Sequence, residues 1–266
     1  MMILMNYSNY VKSQVSKKDF KKIKFLNLNL DTKILASFWP EFVNFKKRSS
    51  KEVPFILKEI KNINKPIVFD STLGSGATSI GLKKKGIKNL YSNEVDSYYI
   101  KITKEEAKRN KISLKITSYD WRELDNKIKI RFDVVLCLGN SLTYLFKKKD
   151  QLKTLTNFRN ILKDNGKLII DERNYPTIID GRYKHSMKYI YCGNKVSAEP
   201  IFANNKMVVM EYKYKNQKAH LVIYPFKKGE LIGLLKEVGF KKIKVYWDYK
   251  NKENPNCEFI TYVAEK

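Results

Sequence analysis

The sequence predicts an α/β fold in which helices cover both faces of a largely parallel sheet. Segment 132–138 is apolar and β-branched with a charge only near its start, which is typical of a parallel strand buried on both faces. From Ser50 onward, strand-like segments alternate with helical ones, as in βαβ units. The chain has 266 residues, of which 43% are apolar, so we expect one large domain with an insertion.

The order of elements follows from the apolar period and from residues that begin or end helices. Residues 1–50 show no clean period and are interpreted as an irregular or helical arm. After them we expect a helix through Phe55, Ile56 and Ile60, strands at 66–70, 89–93, 112–118, 132–138 and 167–171, and helices at 77–85, 97–109 and 150–162. Gly86 and Asn165-Gly166 are placed to stop the helices before them.

The apolar period changes to two between residues 174 and 225, which predicts an antiparallel insertion. Segment 206–214 alternates, Asn216-Gln217 suits a turn, and segment 219–224 continues the pattern. A helix at 229–238 and strands near 241–248 and 258–264 then complete the sheet. We therefore divide the chain into an N-terminal arm or lid (1–50), a ligand-binding core (51–173), a substrate-side insertion (174–225) and a segment that completes the core sheet (226–266).

The net charge of +26 first suggests a nucleic-acid-binding protein. The excess is almost entirely lysine, spread in small clusters alongside many Asn, Ile and Tyr residues, and these amino acids share AT-rich codons. Arginine, which is preferred for bidentate phosphate contacts, is scarce. We therefore expect salt-sensitive adhesion to nucleic acids without specific recognition.

Cysteine usage and hydropathy point to a cytoplasmic protein without a structural metal. Cys137, Cys192 and Cys257 are far apart and odd in number, which supports neither a disulfide framework nor a CxxC metal site. No run of eighteen apolar residues occurs, and the apolar start is too short for a signal peptide.

Two glycines spaced by one, Gly74 and Gly76, follow the first predicted strand and precede a helix. Such a turn lets the backbone pass close to a nucleoside. A third glycine in GxGxxG spacing and a Gly-Lys-Ser/Thr motif are both missing, so a pyrophosphate or triphosphate cradle is poorly supported. At the end of the next strand, Glu94 or Asp96 can accept hydrogen bonds from ribose hydroxyls, although Asp96 is favoured as a helix N-cap.

The order of these residues resembles the Rossmann-like fold of class I S-adenosylmethionine-dependent methyltransferases. Asp70 with Gly74 and Gly76, then Glu94, Asp120-Trp121 and Leu138 to Asn140 each follow a successive strand. The resemblance implies S-adenosylmethionine as cofactor, S-adenosylhomocysteine as product and no metal. It also implies these cofactor-binding residues: Arg48 at the cofactor's carboxylate, Asp70, Thr72, Gly74 and Gly76 in the first turn, Glu94 at the ribose, Asp120 at the adenine amino group, Trp121 beside the ring, and Leu138 along the methionine portion.

Two further motifs resemble the glycine, sarcosine and dimethylglycine N-methyltransferases. They are Cys-Leu-Gly-Asn-Ser at 137–141 and Asp-Glu-Arg-Asn-Tyr at 171–175, where the family's second motif has His or Gln in place of Glu172. Segments 189–200 and 259–266 are most similar to the sarcosine/dimethylglycine branch, which makes betaine. The resemblance implies methylation of sarcosine and dimethylglycine, with glycine as a further possible acceptor.

The residues of these motifs suit a small amino acid as acceptor. Arg173 can grip a carboxylate in a planar bidentate manner, although it can instead pair with Asp171 or Glu172. Asn140 can orient the amine or carboxylate, or simply close a turn. Aromatic faces favour methylammonium groups, which makes tyrosines candidates to line the pocket: Tyr175 and Tyr191 in the motifs, and also Tyr144 and Tyr224. Neither His185 nor His220 has an evident partner as a catalytic base.

Three alternatives stay open at this point. Glu172 and the N-terminal arm can reshape the pocket for another small amine. A nucleic-acid methyltransferase is less favoured, because Leu138-Gly139-Asn140-Ser141 lacks the prolines expected of an Asp/Asn-Pro-Pro-Tyr motif. A cofactor-binding module without catalysis would need a broken substrate side, and the presence of Arg173 and Asn140 argues against that. The number of methyl groups added and the oligomeric state are not predicted.

Overall fold

The structure is a computed structural model that describes residues 7–24, 26–183 and 195–266. Its helices are α1 (Tyr7–Gln14), α2 (Lys17–Ile23), α3 (Leu28–Phe42), α4 (Phe45–Ile60), α5 (Ala77–Lys84), α6 (Ser97–Arg109), α7 (Leu124–Lys127), α8 (Lys148–Ile161), α9 (Tyr175–Ile179) and α10 (Glu230–Glu237). Its strands are β1 (Ile67–Asp70), β2 (Asn89–Asn93), β3 (Lys115–Thr117), β4 (Phe132–Cys137), β5 (Leu162–Arg173), β6 (Ser197–Asn204), β7 (Met207–Tyr214), β8 (Gln217–Ile223), β9 (Lys241–Trp247) and β10 (Phe259–Glu265). Short 3₁₀ turns lie at Trp121–Glu123 and Ser141–Tyr144.

The central sheet has the order β3-β2-β1-β4-β5-β10-β9. Strands β1 to β5 pair in parallel, whereas β10 runs antiparallel to both β5 and β9. The predicted α/β class is confirmed. Because β1, β2, β4 and β5 are parallel, their carboxyl ends meet at one edge of the sheet, where open α/β sheets bind ligands.

Strand β4 is buried on both faces, as its apolar sequence predicts. Val134 and Leu136 pack into one apolar cluster with helix α4, while Val135 and Cys137 pack into the cluster on the opposite face. Side chains alternate across a strand, so a continuous apolar run serves both layers of helices. This burial anchors the turn that follows the strand.

Two boundaries differ from the prediction for local reasons. Strand β3 starts at Lys115 and not at Ile112. The N–H of Ile112 donates to the carbonyl oxygen of Ala107 at 2.9 Å, and this hydrogen bond closes the end of helix α6. Strand β5 starts at Leu162, before the predicted stop at Asn165-Gly166. Those residues form a turn inside the strand, where the pairing with β4 shifts register and Asn165 has a φ of +60°.

The N-terminal arm is helical. Helix α4 begins after Asn44, whose side chain caps the N–H of Lys47 at 2.8 Å, and it runs across residue 50. The division of the chain at residues 50 and 51 stays a prediction, as do the other domain boundaries. No helix among the described residues combines the length and apolar character needed to cross a membrane.

The predicted insertion forms a separate antiparallel sheet, β6-β7-β8. Its hairpin turns at Lys215 and Asn216, since Tyr214 already pairs with Gln217. Helix α3 packs against β8. The N-terminal arm and the insertion therefore meet above the carboxyl edge of the central sheet.

Candidate active site

A cavity opens at the carboxyl ends of β1, β2, β4 and β5 and is covered by helices α1 and α3 and strands β7 and β8. Most of the predicted site residues line it: Arg48, Thr72, Gly74, Glu94, Trp121, Leu138, Asn140 and Arg173. Asp70, Gly76, Asp120 and Tyr175 are not among its lining residues. Tyr191 lies outside the described residues, as do His185 and Cys192.

Asp70 organises the turn after β1 from behind the cavity. Its buried carboxylate accepts hydrogen bonds from the backbone N–H of Thr72 (3.1 Å) and the hydroxyl of Ser79 (2.7 Å), and burial raises the pKa of Asp70. The hydroxyl of Thr72 accepts in turn from the N–H of Leu138 at 3.0 Å. This chain of contacts ties the turns after β1 and β4 together.

Gly76 is a structural requirement of the same turn. It has a φ of +82°, and a Cβ added there would lie 2.7 Å from Cγ2 of Thr103. A side chain would therefore suffer both backbone strain and a collision. The glycine allows helix α6 to pack closely against the turn.

Glu94 places a carboxylate at the cavity wall. It accepts hydrogen bonds from the backbone N–H groups of Gly74 (2.9 Å), Val95 (2.8 Å) and Asp96 (3.0 Å). Burial raises the pKa of Glu94, although these three donors lower it. Asp96 lines the cavity and also caps helix α6 by accepting from the N–H of Tyr98 at 2.8 Å. The preferred interpretation of Asp96 as an N-cap is confirmed.

Asp120 and Trp121 face different surroundings. Asp120 accepts a hydrogen bond from the guanidinium of Arg122 at 2.6 Å. Burial of Asp120 raises its pKa, but the hydrogen bonds and the charge of Arg122 lower it by more, so the pKa of Asp120 lies below its usual value. Trp121 lines the cavity, and its indole N–H donates to Ser71 O at 2.9 Å. The indole is thereby held beside the first turn.

Arg48 reaches the site from helix α4. A Cβ added at Gly139 would lie 3.7 Å from Nη2 of Arg48, so the guanidinium lies against the turn after β4. Its Nε donates to the buried carboxylate of Glu52 at 2.9 Å, and Glu52 also accepts from the hydroxyls of Thr78 and Tyr249. Glu52 is a supporting residue that the sequence reasoning missed.

Asn140 closes a turn and also presents its amide to the cavity. Its φ of +63° lies in the left-handed region. Its Oδ1 accepts from the backbone N–H of Arg173 and from the hydroxyl of Tyr175, both at 2.9 Å. Because a backbone N–H can only donate, the bonded atom is the amide oxygen, and the NH₂ group makes no hydrogen bond within the described ranges.

Arg173 is the last residue of strand β5, and its guanidinium stacks on the ring of Phe259 at 4.9 Å from the centroid. The acidic neighbours proposed as its alternative partners are engaged elsewhere. Asp171 accepts from the N–H groups of Gly139 (3.1 Å) and Asn140 (2.6 Å), and Glu172 accepts from the hydroxyl of Tyr262 (2.6 Å). Burial raises the pKa of Asp171 to about 7 and that of Glu172 to about 8.

The tyrosine candidates are divided between cavity and core. Tyr144 lines the cavity, Tyr175 is fully buried beneath Asn140, and Tyr224 donates to Glu230 at 2.6 Å outside the cavity lining. Aromatic lining residues that the sequence reasoning missed come mainly from the covering elements: Tyr7, Trp39, Phe42, Tyr99 and Tyr212. For Tyr7, Trp39 and Phe42 the only sequence signal was the aromatic content of the arm.

His220 lies away from the cavity. Its Nδ1 is 3.1 Å from Asp31 Oδ2 on helix α3, and its Nε2 is 3.3 Å from Glu211 Oε2 on β7. It therefore joins the arm to the insertion instead of serving as a base. Among the described residues, no group of three or more His, Cys, Asp or Glu side chains could hold a metal ion.

Comparison with known sequences gives consistent matches. A family described as a methyltransferase domain matches residues 68–166. The chain is 35% identical over 232 residues to the glycine/sarcosine N-methyltransferase of Aphanothece halophytica, covering 86% of both chains. It is 31% identical to the glycine/sarcosine/dimethylglycine N-methyltransferase of Actinopolyspora halophila, covering 86% of this chain but 41% of that longer one.

Comparison with solved structures concerns the fold alone. An S-adenosylmethionine-dependent methyltransferase from Clostridium acetobutylicum superposes with a TM-score of 0.69 at 20% identity, over 89% of this chain and 98% of that one. The protein PH0226 from Pyrococcus horikoshii superposes with a TM-score of 0.62 at 18% identity, over 85% and 96%. The overall fold therefore recurs in both solved structures, one of which is an S-adenosylmethionine-dependent methyltransferase.

Proposed function

Because the chain belongs to the family of the S-adenosylmethionine-dependent glycine/sarcosine N-methyltransferases, we propose that it methylates the amines of glycine and sarcosine. Dimethylglycine, which the sequence motifs favour and which the name of the Actinopolyspora relative includes, is the third proposed acceptor, and its methylation yields betaine. One observation carries the proposal: Arg173 and the oriented amide of Asn140 line the same cavity as Glu94 and Trp121.

The residues of the cavity fit S-adenosylmethionine. Glu94 offers a carboxylate to a ribose diol, the Trp121 indole offers an apolar face to an adenine, and Arg48 offers a guanidinium to an amino-acid carboxylate. When bound, the cofactor supplies a methyl group on positively charged sulfur. Asp120 is retained as the acceptor proposed for the adenine amino group, with Arg122 favouring its ionised form.

The acceptor's carboxylate is assigned to Arg173 and Asn140. A guanidinium grips a carboxylate with two parallel hydrogen bonds. The NH₂ group of Asn140, which makes no hydrogen bond to a described residue, is a donor, so it suits the carboxylate better than an amine lone pair. Together the two side chains would fix the position of the amine without touching it.

Aligning the amine and excluding water are the main tasks of the protein in such a displacement. Trp39, Phe42 and Tyr212 pack around the cavity from the arm and the insertion, which supports the exclusion of water. Aromatic faces also stabilise the methylammonium that forms. The neutral amine can be selected from solution, so a dedicated base is not required.

The test is mass spectrometry of the products formed by the purified protein with S-adenosylmethionine. Glycine, sarcosine, dimethylglycine and an RNA pool are supplied in separate reactions. We expect mass increases of one methyl group per step with the amino acids and none with RNA. Turnover with none of the amino acids would overturn the proposal and direct attention to other small amines, whereas methylation of RNA alone would support a nucleic-acid methyltransferase.

A further inference from the structure

Asp171 is a buried carboxylate at the end of β5 that lies directly under the acceptor side of the cavity. It is 1% exposed and accepts the backbone N–H groups of two successive residues, Gly139 at 3.1 Å and Asn140 at 2.6 Å. Both of these residues have positive φ values, +76° and +63°. Successive N–H groups in such a turn converge on one point and form a concave anion site. Here a side chain of the protein fills that site.

We propose that Asp171 is a positioning residue: its carboxylate holds the Gly139-Asn140 turn so that the Asn140 amide faces the acceptor. The inference rests on the proposed function, since it deepens the role of Asn140 there. The contacts act in series. Asp171 holds the backbone of Asn140, while the N–H of Arg173 and the hydroxyl of Tyr175 hold its side-chain oxygen. Both ends of Asn140 are therefore fixed by residues at the end of β5 and directly after it.

The ionised form of Asp171 is the one that can accept both N–H groups well, because protonation turns one oxygen into a donor. Burial raises the pKa of this carboxyl to about 7, and the nearby charge of Glu52 also raises it, whereas the two N–H donors and the charge of Arg48 lower it. The other titratable neighbours are Cys137 on β4 and Glu172 on β5. The hold on the turn is thus predicted to weaken as pH falls below about 7.

Asp171→Asn is the informative variant, since it keeps the size of the side chain and removes one acceptor oxygen. Asp133→Asn is its control: Asp133, near the start of β4, also accepts a backbone N–H, from Ile67 at 2.8 Å, but it does not line the cavity. Thermal unfolding of both variants at each pH establishes that the compared proteins are folded.

The first readout is kcat/KM for glycine or sarcosine, taken as the ratio of wild type to variant from about pH 6 to about pH 8.5. The ratio cancels the titration of the substrate amine. For Asp171→Asn we expect this ratio to be about 30 or more at the upper pH and to fall toward one at low pH. The ratio falls because wild-type Asp171 becomes neutral at low pH and then resembles the variant. For Asp133→Asn we expect a ratio near one at every pH.

The second readout needs no turnover. In amide-proton NMR spectra of wild type, the Asn140 signal should shift with a midpoint near pH 7, and the shift should vanish in Asp171→Asn. A pH-independent ratio, or an Asn140 amide that does not respond to pH, would overturn the inference. Absence of turnover by wild type would overturn the proposed function, and the amide spectra alone would then uphold or reject the hold of Asp171 on Asn140.

Discussion

The side chain of Glu172 lies on the opposite face of β5 from Asp171 and Arg173, because side chains alternate along a strand. It bonds Tyr262 in the core and does not line the cavity. The one position that departs from the family motif is therefore a core residue. At the residue scale, the proposed site depends on Asp171, Arg173 and Tyr175 of this motif and on the Asn140 that they hold.

Replacing Arg173 should remove the grip on the acceptor carboxylate. We expect Arg173→Ala to abolish turnover and Arg173→Lys to lower kcat/KM for the acceptor roughly 100-fold, since lysine cannot form two parallel hydrogen bonds. Steady-state kinetics and calorimetric cofactor binding check this. Cofactor affinity should stay within a few-fold, and Arg182→Lys, at a surface ion pair with Asp180, should behave as wild type. Retained turnover in Arg173→Ala would reject the assignment.

Removing the hydroxyl of Tyr175 should free one side of Asn140. We expect Tyr175→Phe to lower the free energy of unfolding by about 1–2 kcal/mol and kcat/KM about tenfold. Tyr246→Phe is the matched control, because its hydroxyl bonds the buried Glu59 at 2.9 Å away from the cavity. Chemical denaturation should show a similar loss of stability in both variants, and a kinetic loss in Tyr246→Phe would contradict the explanation.

Replacing Glu94 tests its proposed role in binding the ribose of the cofactor. Glu94→Gln replaces one acceptor oxygen with a donor, which conflicts with the N–H groups of Gly74, Val95 and Asp96. We expect the Kd for S-adenosylmethionine to rise about 10- to 100-fold in calorimetry. Glu106→Gln, which alters a surface pair with Arg109, is the control. Unchanged affinity in Glu94→Gln would remove Glu94 from the ribose site.

At the scale of elements, the cavity is closed where helix α3 meets strands β7 and β8. Trp39 and Phe42 on α3 pack against Tyr212 on β7, with Phe42 and Tyr212 centroids 5.1 Å apart. His220 bridges the same elements through Asp31 and Glu211. The arm and the insertion therefore act as one cover, although Asp31 and His220 are 189 positions apart along the chain.

The His220 bridge should make the stability of this cover depend on pH. The hydrogen bond to Asp31 raises the pKa of His220, while burial opposes the rise, and the Asp31 charge and Glu211 add to it. A raised folded-state pKa means that the contribution is full below the unfolded value of about 6.5 and is lost as pH rises through the folded value. Denaturation of wild type and His220→Gln should therefore show a wild-type advantage at low pH that shrinks at high pH. An advantage that is constant across pH would contradict the charged bridge.

At the scale of the whole molecule, the dominant feature is the net charge of +26, most of which comes from lysine. We expect nucleic acid to be retained at low ionic strength and released by about 0.3 M salt, because exposed lysines contact phosphates without geometric selection. Filter binding across salt concentrations, with labelled methyl donor present, checks this. Retention at high salt or methyl transfer to the nucleic acid would contradict a non-specific origin.

The sequence alone determined the sheet core and the turns that follow its strands. Apolar runs such as 132–138 and glycine-bearing turns such as 74–76 express local preferences, so β1, β2, β4 and helices α5 and α6 fell close to their predicted bounds. The residues of those turns converge because parallel strands end at one edge. Membership in the methyltransferase family followed from the same residues.

Only the tertiary structure decided what covers the cavity and what holds its side chains. Trp39 and Phe42 belong to a segment without a clear local signal, and they meet Tyr212 of the alternating segment 206–214 through packing of the arm on the insertion. The contacts of Asn140 with Asp171 and Tyr175 join residues more than thirty positions apart. Such contacts depend on strand pairing and long-range burial, and neither the apolar period nor turn chemistry encodes them. That is why the sequence named the candidate site residues, whereas the structure identified the residues that hold them in place.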